Sequence, residues 1–180
     1  IALEGSRIKQ VNLGSVANEE PFGVLIESDR PVVAALRVGT GDNPPDTAYL
    51  AATAPLGGPS IVADARNVGA LISKLVLTAP DQAASVAIVA LVAGKEPKEI
   101  DQVEIAAGTS QQVSLKAVKG AFAVMITPLP GSGSVYASRV LSERRTDGDL
   151  LTIEQFQPSH TTALVPDVVN DLSAGLRPGE

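Results

Sequence analysis

The most constraining feature of this 180-residue chain is that its text recurs. Gln10-Val11-Asn12-Leu13 returns 102 positions later as Gln112-Val113-Ser114-Leu115. Phe22-Gly23-Val24-Leu25-Ile26 returns as Phe122-Ala123-Val124-Met125-Ile126. Ala35-Leu36-Arg37-Val38 returns as Ala137-Ser138-Arg139-Val140, and Val62-Ala63-Asp64 with Asn67 returns as Val165-Pro166-Asp167 with Asn170. The order is kept and the slips fall between the matched segments, which predicts a tandem duplication of one unit of about 100 residues.

The unit reads as β structure. In Lys74-Leu75-Val76-Leu77-Thr78 the leucines share one face, a period of two. Val86 to Ala93 is apolar on both faces, as in a strand covered on both sides, and turn-like Pro80-Asp81 and Gly94-Lys95-Glu96-Pro97 bracket it. Strands are expected at Val103–Ala107, Gln111–Leu115, Phe122–Thr127, Ser134–Leu141 and Leu150–Phe156. The first copy supplies Ile8–Leu13, Phe22–Glu27, Val32–Val38 and Thr47–Thr53. Short strands with Gly, Pro and Asp punctuation predict an all-β chain of Ig-like or fibronectin-like antiparallel β-sandwiches. Val62–Ile72 is the only candidate helix, and Gly69 weakens it. The register divides the chain into a partial sandwich unit (1–58), a complete one (59–158) and a C-terminal tail (159–180). The tail is expected to pack on the first unit through Leu164-Val165 or Val168-Val169, because an incomplete sandwich leaves edges open.

Composition narrows the function classes. A net charge of −6 argues against nucleic acid and against anionic lipid, both of which call for a basic surface. With no cysteine and one histidine, His160, neither a disulfide framework nor a usual zinc site can be built. The longest apolar run is far shorter than the ~20 residues of a membrane helix, so this stretch is expected to be soluble. The chain opens at Ile1 without a leader, which reads as a mature or trimmed piece with any signal or anchor outside it.

The chemistry-bearing constellations are sparse. His160 has no nucleophile elbow to serve; Gly131-Ser132-Gly133-Ser134 reads as a turn, and Ala93-Gly94-Lys95-Glu96 as a hairpin rather than a phosphate cradle. No enzyme is expected, and no cofactor. Asp42 and Asp46 in one loop, and Asp147 and Asp149 in the corresponding loop, are weak calcium candidates, since hard oxygen donors cluster there without EF-hand spacing. Phe22 and Phe122 start matching strands and are expected in the core. Tyr49 and Tyr136 do not correspond, so no duplicated aromatic platform for sugars exists. Arg37 and Arg139 correspond and lie inside strands. They are either partner-binding cations on a sheet face or members of cross-strand ion pairs.

Beyond these readings the strand text carries a resemblance. Glu27-Ser28-Asp29-Arg30-Pro31-Val32-Val33-Ala34-Ala35, Lys74 to Asp81 followed by Ser85 to Ile88, and Gly120-Ala121-Phe122-Ala123-Val124 resemble segments of an uncharacterised family of actinobacterial secreted or membrane-anchored proteins. The resemblance implies an extracytoplasmic, envelope-tethered protein of tandem Ig-like units, with neighbours in polysaccharide assembly and no catalytic residues to carry over. The expected function is therefore a non-catalytic envelope module, a scaffold or protein-interaction domain. The alternative is a module that binds wall polysaccharide or calcium through its Asp-rich loops.

Overall fold

The computed structural model describes residues 1–14, 20–40 and 45–159. Among them every regular element is a β-strand: β1 (Ala35–Gly39), β2 (Thr47–Ala51), β3 (Ser60–Asn67), β4 (Ile72–Ala79), β5 (Ala84–Leu91), β6 (Lys98–Ile105), β7 (Thr109–Ser114), β8 (Gly120–Pro128), β9 (Tyr136–Glu143), β10 (Leu150–Gln155) and β11 (Gln157–Pro158). The described strands form three antiparallel sheets: the sandwich pairs β10-β9-β4-β7 with β11-β3-β8-β5-β6, and β1-β2 form a separate two-stranded ribbon. The chain is an all-β antiparallel sandwich.

Alternation drives the packing. Along β4, Ser73, Leu75, Leu77 and Ala79 are buried and the residues between them are half-covered, as a period of two requires on a sheet with one inner face. On β5, Val86, Ile88 and Ala90 point inward; of the other face only Ala87 is buried, so its cover is partial. Leu75, Leu77, Ile88, Ile105, Leu115, Phe122, Val124, Ile126, Val135 and Phe156 belong to one core between the sheets, and Leu56 packs against it. Leu56 is held there by its N–H, which donates to the Val135 carbonyl at 2.9 Å.

The candidate helix at Val62–Ile72 is β3 and the turn after it. Val68 bridges Leu71 across a tight reversal, and Gly69 takes φ +62°, a left-handed conformation that L-residues adopt at a cost. The turn stands on a polar knot. Asn67 donates through Nδ2 to the Leu115 and Val118 carbonyls, both at 2.7 Å, and its Oδ1 accepts the Ser73 N–H at 2.9 Å.

The first copy departs from expectation. Residues 8–13 and 22–27 form no strand. Ile8 is fully exposed, and Phe22 is half-buried where Phe122 is 5% exposed. Among the described residues no neighbouring strand supplies a ladder to these two segments, so their apolar pattern stays unpaired. What the two stretches share is a hairpin: β1 pairs β2 antiparallel as β9 pairs β10. The expected tail contacts, with Leu164, Val165, Val168 and Val169, lie outside the described residues, as does His160.

Candidate functional site

The β1–β2 hairpin lies beside β10, the edge strand of the four-stranded sheet. Asp46 makes the junction. Its Oδ1 accepts the Thr47 N–H at 2.7 Å and its Oδ2 accepts the Leu151 N–H at 2.8 Å. At the other end the Gln155 side-chain amide donates to the Ala51 carbonyl. Side chains therefore bind the hairpin to an edge that no backbone ladder closes among the described residues. The two backbone N–H groups favour the charged carboxylate and hold Asp46 below its ordinary value.

Between this hairpin, β10 and the β3–β11 side of the opposite sheet the sandwich stays open, leaving a cleft of about 400 Å³. β2 contributes Tyr49, β3 contributes Val62, β10 contributes Ile153, Glu154 and Gln155, and β11 contributes Gln157. Tyr49 is 68% exposed. Glu154 is half-exposed, and its Oε2 accepts from Arg139 Nη2 at 2.6 Å.

Arg139 is the anchor of this wall. It is 2% exposed, on the inner face of β9 in register with Glu154. Its Nη1 donates to the Asp64 carbonyl at 2.9 Å, on the opposite sheet. That carbonyl is delivered by a bulge: the β3–β8 register shifts between Val62 and Ala65, and Asp64 takes φ +57°. The Asp64 carboxylate meanwhile turns out to Arg66 Nε at 2.6 Å. Arg139 Nε has no hydrogen-bond partner among the described residues.

The two arginines singled out by the sequence thus sit differently. Arg139 joins the sheets and fixes Glu154. Arg37 is exposed on β1, directly across from Tyr49, and no ion pair holds it among the described residues. Of the calcium candidates, Asp42 lies outside the described residues. Asp46 spends both oxygens on backbone N–H groups, and Asp147 lies 3.2 Å from Arg145 Nε. Asp149 is half-exposed in the β9–β10 loop. Among the described residues no three His, Asp or Glu side chains converge as metal ligands, and no helix is long and apolar enough to cross a membrane.

Tyr49, Glu154, Gln155 and Gln157 were not legible as a group. The one available signal was Arg139: a strand arginine calls for a carboxylate on a neighbouring strand, and Glu154 is in the strand that follows. A second cleft of similar size near Gly69, Lys116 and Lys119 is built around Asn67, whose side chain is already committed to the turn.

A family model matches residues 1–116, from the N-terminal arm through β7. The chain belongs to the family of unknown function DUF5719. The family match takes in the β2 and β3 walls of the cleft, whereas Arg139 and Glu154 lie beyond it. No functionally curated protein matches the sequence significantly. Among solved structures, one from Thermotoga maritima, "Thermotoga maritima 1070", is similar at 14% identity and a TM-score of 0.49, over 56% of this chain and 92% of its own. The Anabaena sensory rhodopsin transducer is similar at 18% identity and a TM-score of 0.36, over 50% of this chain and 83% of its own. Both scores fall under 0.5 and support no inference about this chain.

Proposed function

We propose that this DUF5719 chain is a non-catalytic module that works outside the cytoplasmic membrane, as a scaffold or protein-interaction domain of the cell envelope. The observation that carries the reading is the segment of residues 20–34. It forms no ladder, yet it presents Val24, Leu25, Ile26, Val32 and Val33 to solvent. A run of exposed aliphatic side chains on backbone that joins no strand is a surface that gains from a partner. The resemblance of Glu27 to Ala35 to actinobacterial secreted or membrane-anchored proteins supports the location and the source. The test is protease access in intact cells of the source organism, with a photo-crosslinker at Val33. An accessible chain that forms one discrete adduct with an envelope protein is expected. A chain shielded by the intact membrane, or one that forms no adduct, sinks the reading.

A second reading, binding of wall polysaccharide, is favoured by a separate observation: the cleft beside Tyr49 and Glu154. Calcium finds less support, because the Asp46 and Asp147 carboxylates are already engaged.

A further inference from the structure

We propose that the cleft between β2, β10 and β11 binds a neutral sugar unit of a polysaccharide, with Tyr49 as the stacking surface and Glu154, Gln155 and Gln157 as the hydroxyl partners. The proposal rests on the second reading above and gives it a site.

Charge decides the class of ligand. Among the described residues Glu154 is the one carboxylate lining the cleft, and its charge is offset by Arg139 at 2.6 Å. Arg37, across the hairpin from Tyr49, adds a further positive charge. A cationic ligand or a metal ion therefore meets no net negative field, despite the carboxylate at the wall. A hydroxyl does better. Glu154 Oε1 has no protein donor among the described residues, and Arg139 fixes the carboxylate that carries it. Gln155 gives its amide N–H to Ala51, so its carbonyl oxygen is left to accept. Gln157 is exposed and offers both a donor and acceptors. Groups of that kind match hydroxyls, which both donate and accept. Tyr49 supplies an exposed ring at low entropic cost, suited to the C–H face of a sugar.

Shape decides against a peptide strand. The edge of β10, where a peptide would add by main-chain pairing, is screened by the hairpin through Asp46 and Gln155. A cleft of about 400 Å³, open to solvent, falls at the small end of ligand sites (~300–1,000 Å³) and suits one stretch of a polymer passing through. The neutrality follows from Arg139, so its partner Glu154 acts as a fixed acceptor rather than as a charge.

The experiment is amide chemical-shift titration of the whole chain with a soluble arabinan, galactan and mannan, each tested separately. Saturable shifts at Tyr49, Gln155 and Gln157 are expected with at least one polymer. Tyr49→Ala is expected to weaken that binding about tenfold, the loss of one aromatic contact, while the melting temperature holds because the ring is exposed. Gln157→Ala is expected to weaken it by a smaller factor. Binding that maps elsewhere and ignores Tyr49→Ala overturns the site but leaves polysaccharide binding standing. No shift with any of the three overturns both. Saturable shifts at the cleft with an oligolysine peptide, and none with the polymers, overturn the neutral-ligand assignment in favour of a protein partner.

Discussion

On β1, Arg37 lies opposite Tyr49 and faces water; on β9, the corresponding Arg139 lies opposite Glu154 and is buried between two sheets. The flanking text is nearly the same, and each strand forms an antiparallel hairpin with the next. The difference comes from what stands across the inner face. Behind β9 lies β3, bulged at Val62–Ala65 so that the Asp64 carbonyl reaches the guanidinium. Behind β1 no second sheet stands among the described elements. A strand's sequence sets its alternation, but burial is conferred by the opposite layer.

Removing the large side chain from each region should separate them most. Phe122→Ala in the core is expected to cost about 3–5 kcal/mol, the range for truncating a buried phenylalanine, and to move the denaturation midpoint accordingly. Phe22→Ala, on the half-buried arm, is expected to cost about 1 kcal/mol or less. Equal midpoint shifts in urea melts would mean that the arm is as integral as the sandwich, and the contrast would fail.

The arginine pair gives a smaller effect with the same sign. Arg139→Leu removes the partner of Glu154 and leaves the Asp64 carbonyl unsatisfied inside the sandwich. Glu154 is half-exposed and can turn to water, so the expected loss is about 2–3 kcal/mol, below the usual cost of stranding a fully buried charge. Arg37→Leu should stay within about 0.5 kcal/mol, as surface substitutions do. A double-mutant cycle of Arg139→Leu with Glu154→Gln sharpens this: a coupling near zero would assign the cost to the carbonyl and the lost packing, not to the ion pair.

How much of this was legible follows from what each feature depends on. The strands β4, β5, β7, β8, β9 and β10 depend on local alternation and turn residues, and the sequence predicts them closely. β6 begins at Lys98, earlier than its first apolar residues suggest, because β5 pairs with it through polar positions such as Asp101 and Gln102. Val62–Ile72, the one helix candidate and already weakened by Gly69, is a strand and turn for a local reason, since Gly69 serves a turn and Asp64 a bulge. The strands expected at Ile8 and Phe22 fail for a global one: alternation is present, but among the described residues a pairing partner is not. The cleft depends on register. Tyr49 and Glu154 are more than a hundred residues apart in sequence, and only the docking of one hairpin against the other brings them together.

Glycines test the same contrast at a finer scale. A Cβ on Gly133, in the connection before β9, would sit 2.8 Å from the Ala83 carbonyl and 2.9 Å from that of Gln82. Those are backbone atoms, tied in turn by the Gly133 N–H to Ala83 at 3.0 Å, and cannot yield cheaply. Gly133→Ala is expected to cost about 1–2 kcal/mol through this overpacking. A Cβ on Gly23 would sit 2.6 Å from Thr78 Cγ2, the end of a side chain on the outer face of β4. There the arm lifts or Thr78 rotates, so Gly23→Ala should leave the melting of the sandwich unchanged while hydrogen exchange of the arm rises. Equal destabilisation would mean that arm and sandwich unfold as one.

The smallest effect concerns the joint between the regions. Asp46 is held below its ordinary value of 3.8 by the N–H groups of Leu151 and Thr47, and only one of these, Leu151, belongs to the sandwich. Detachment removes the Leu151 N–H but keeps that of Thr47, so as pH falls the carboxyl of a detached hairpin takes up its proton before the docked one does. The detached form then binds more protons, and acidification favours it. The stabilisation of docking is therefore complete above 3.8 and is lost as pH falls through the lower, docked value. Because Asp46 touches the sandwich only at the edge of β10, through the Leu151 N–H, the core should not respond. In an amide titration the Leu151 N–H is expected to shift with a midpoint below 3.8, while Leu77 and Ile126 stay constant over the same range. Asp46→Asn keeps an acceptor oxygen but removes the titration, so its Leu151 signal should be flat with pH. A Leu151 midpoint at or above 3.8 in the parent chain would mean that Asp46 does not hold the hairpin on the edge of β10, and the walls of the cleft would lose their link.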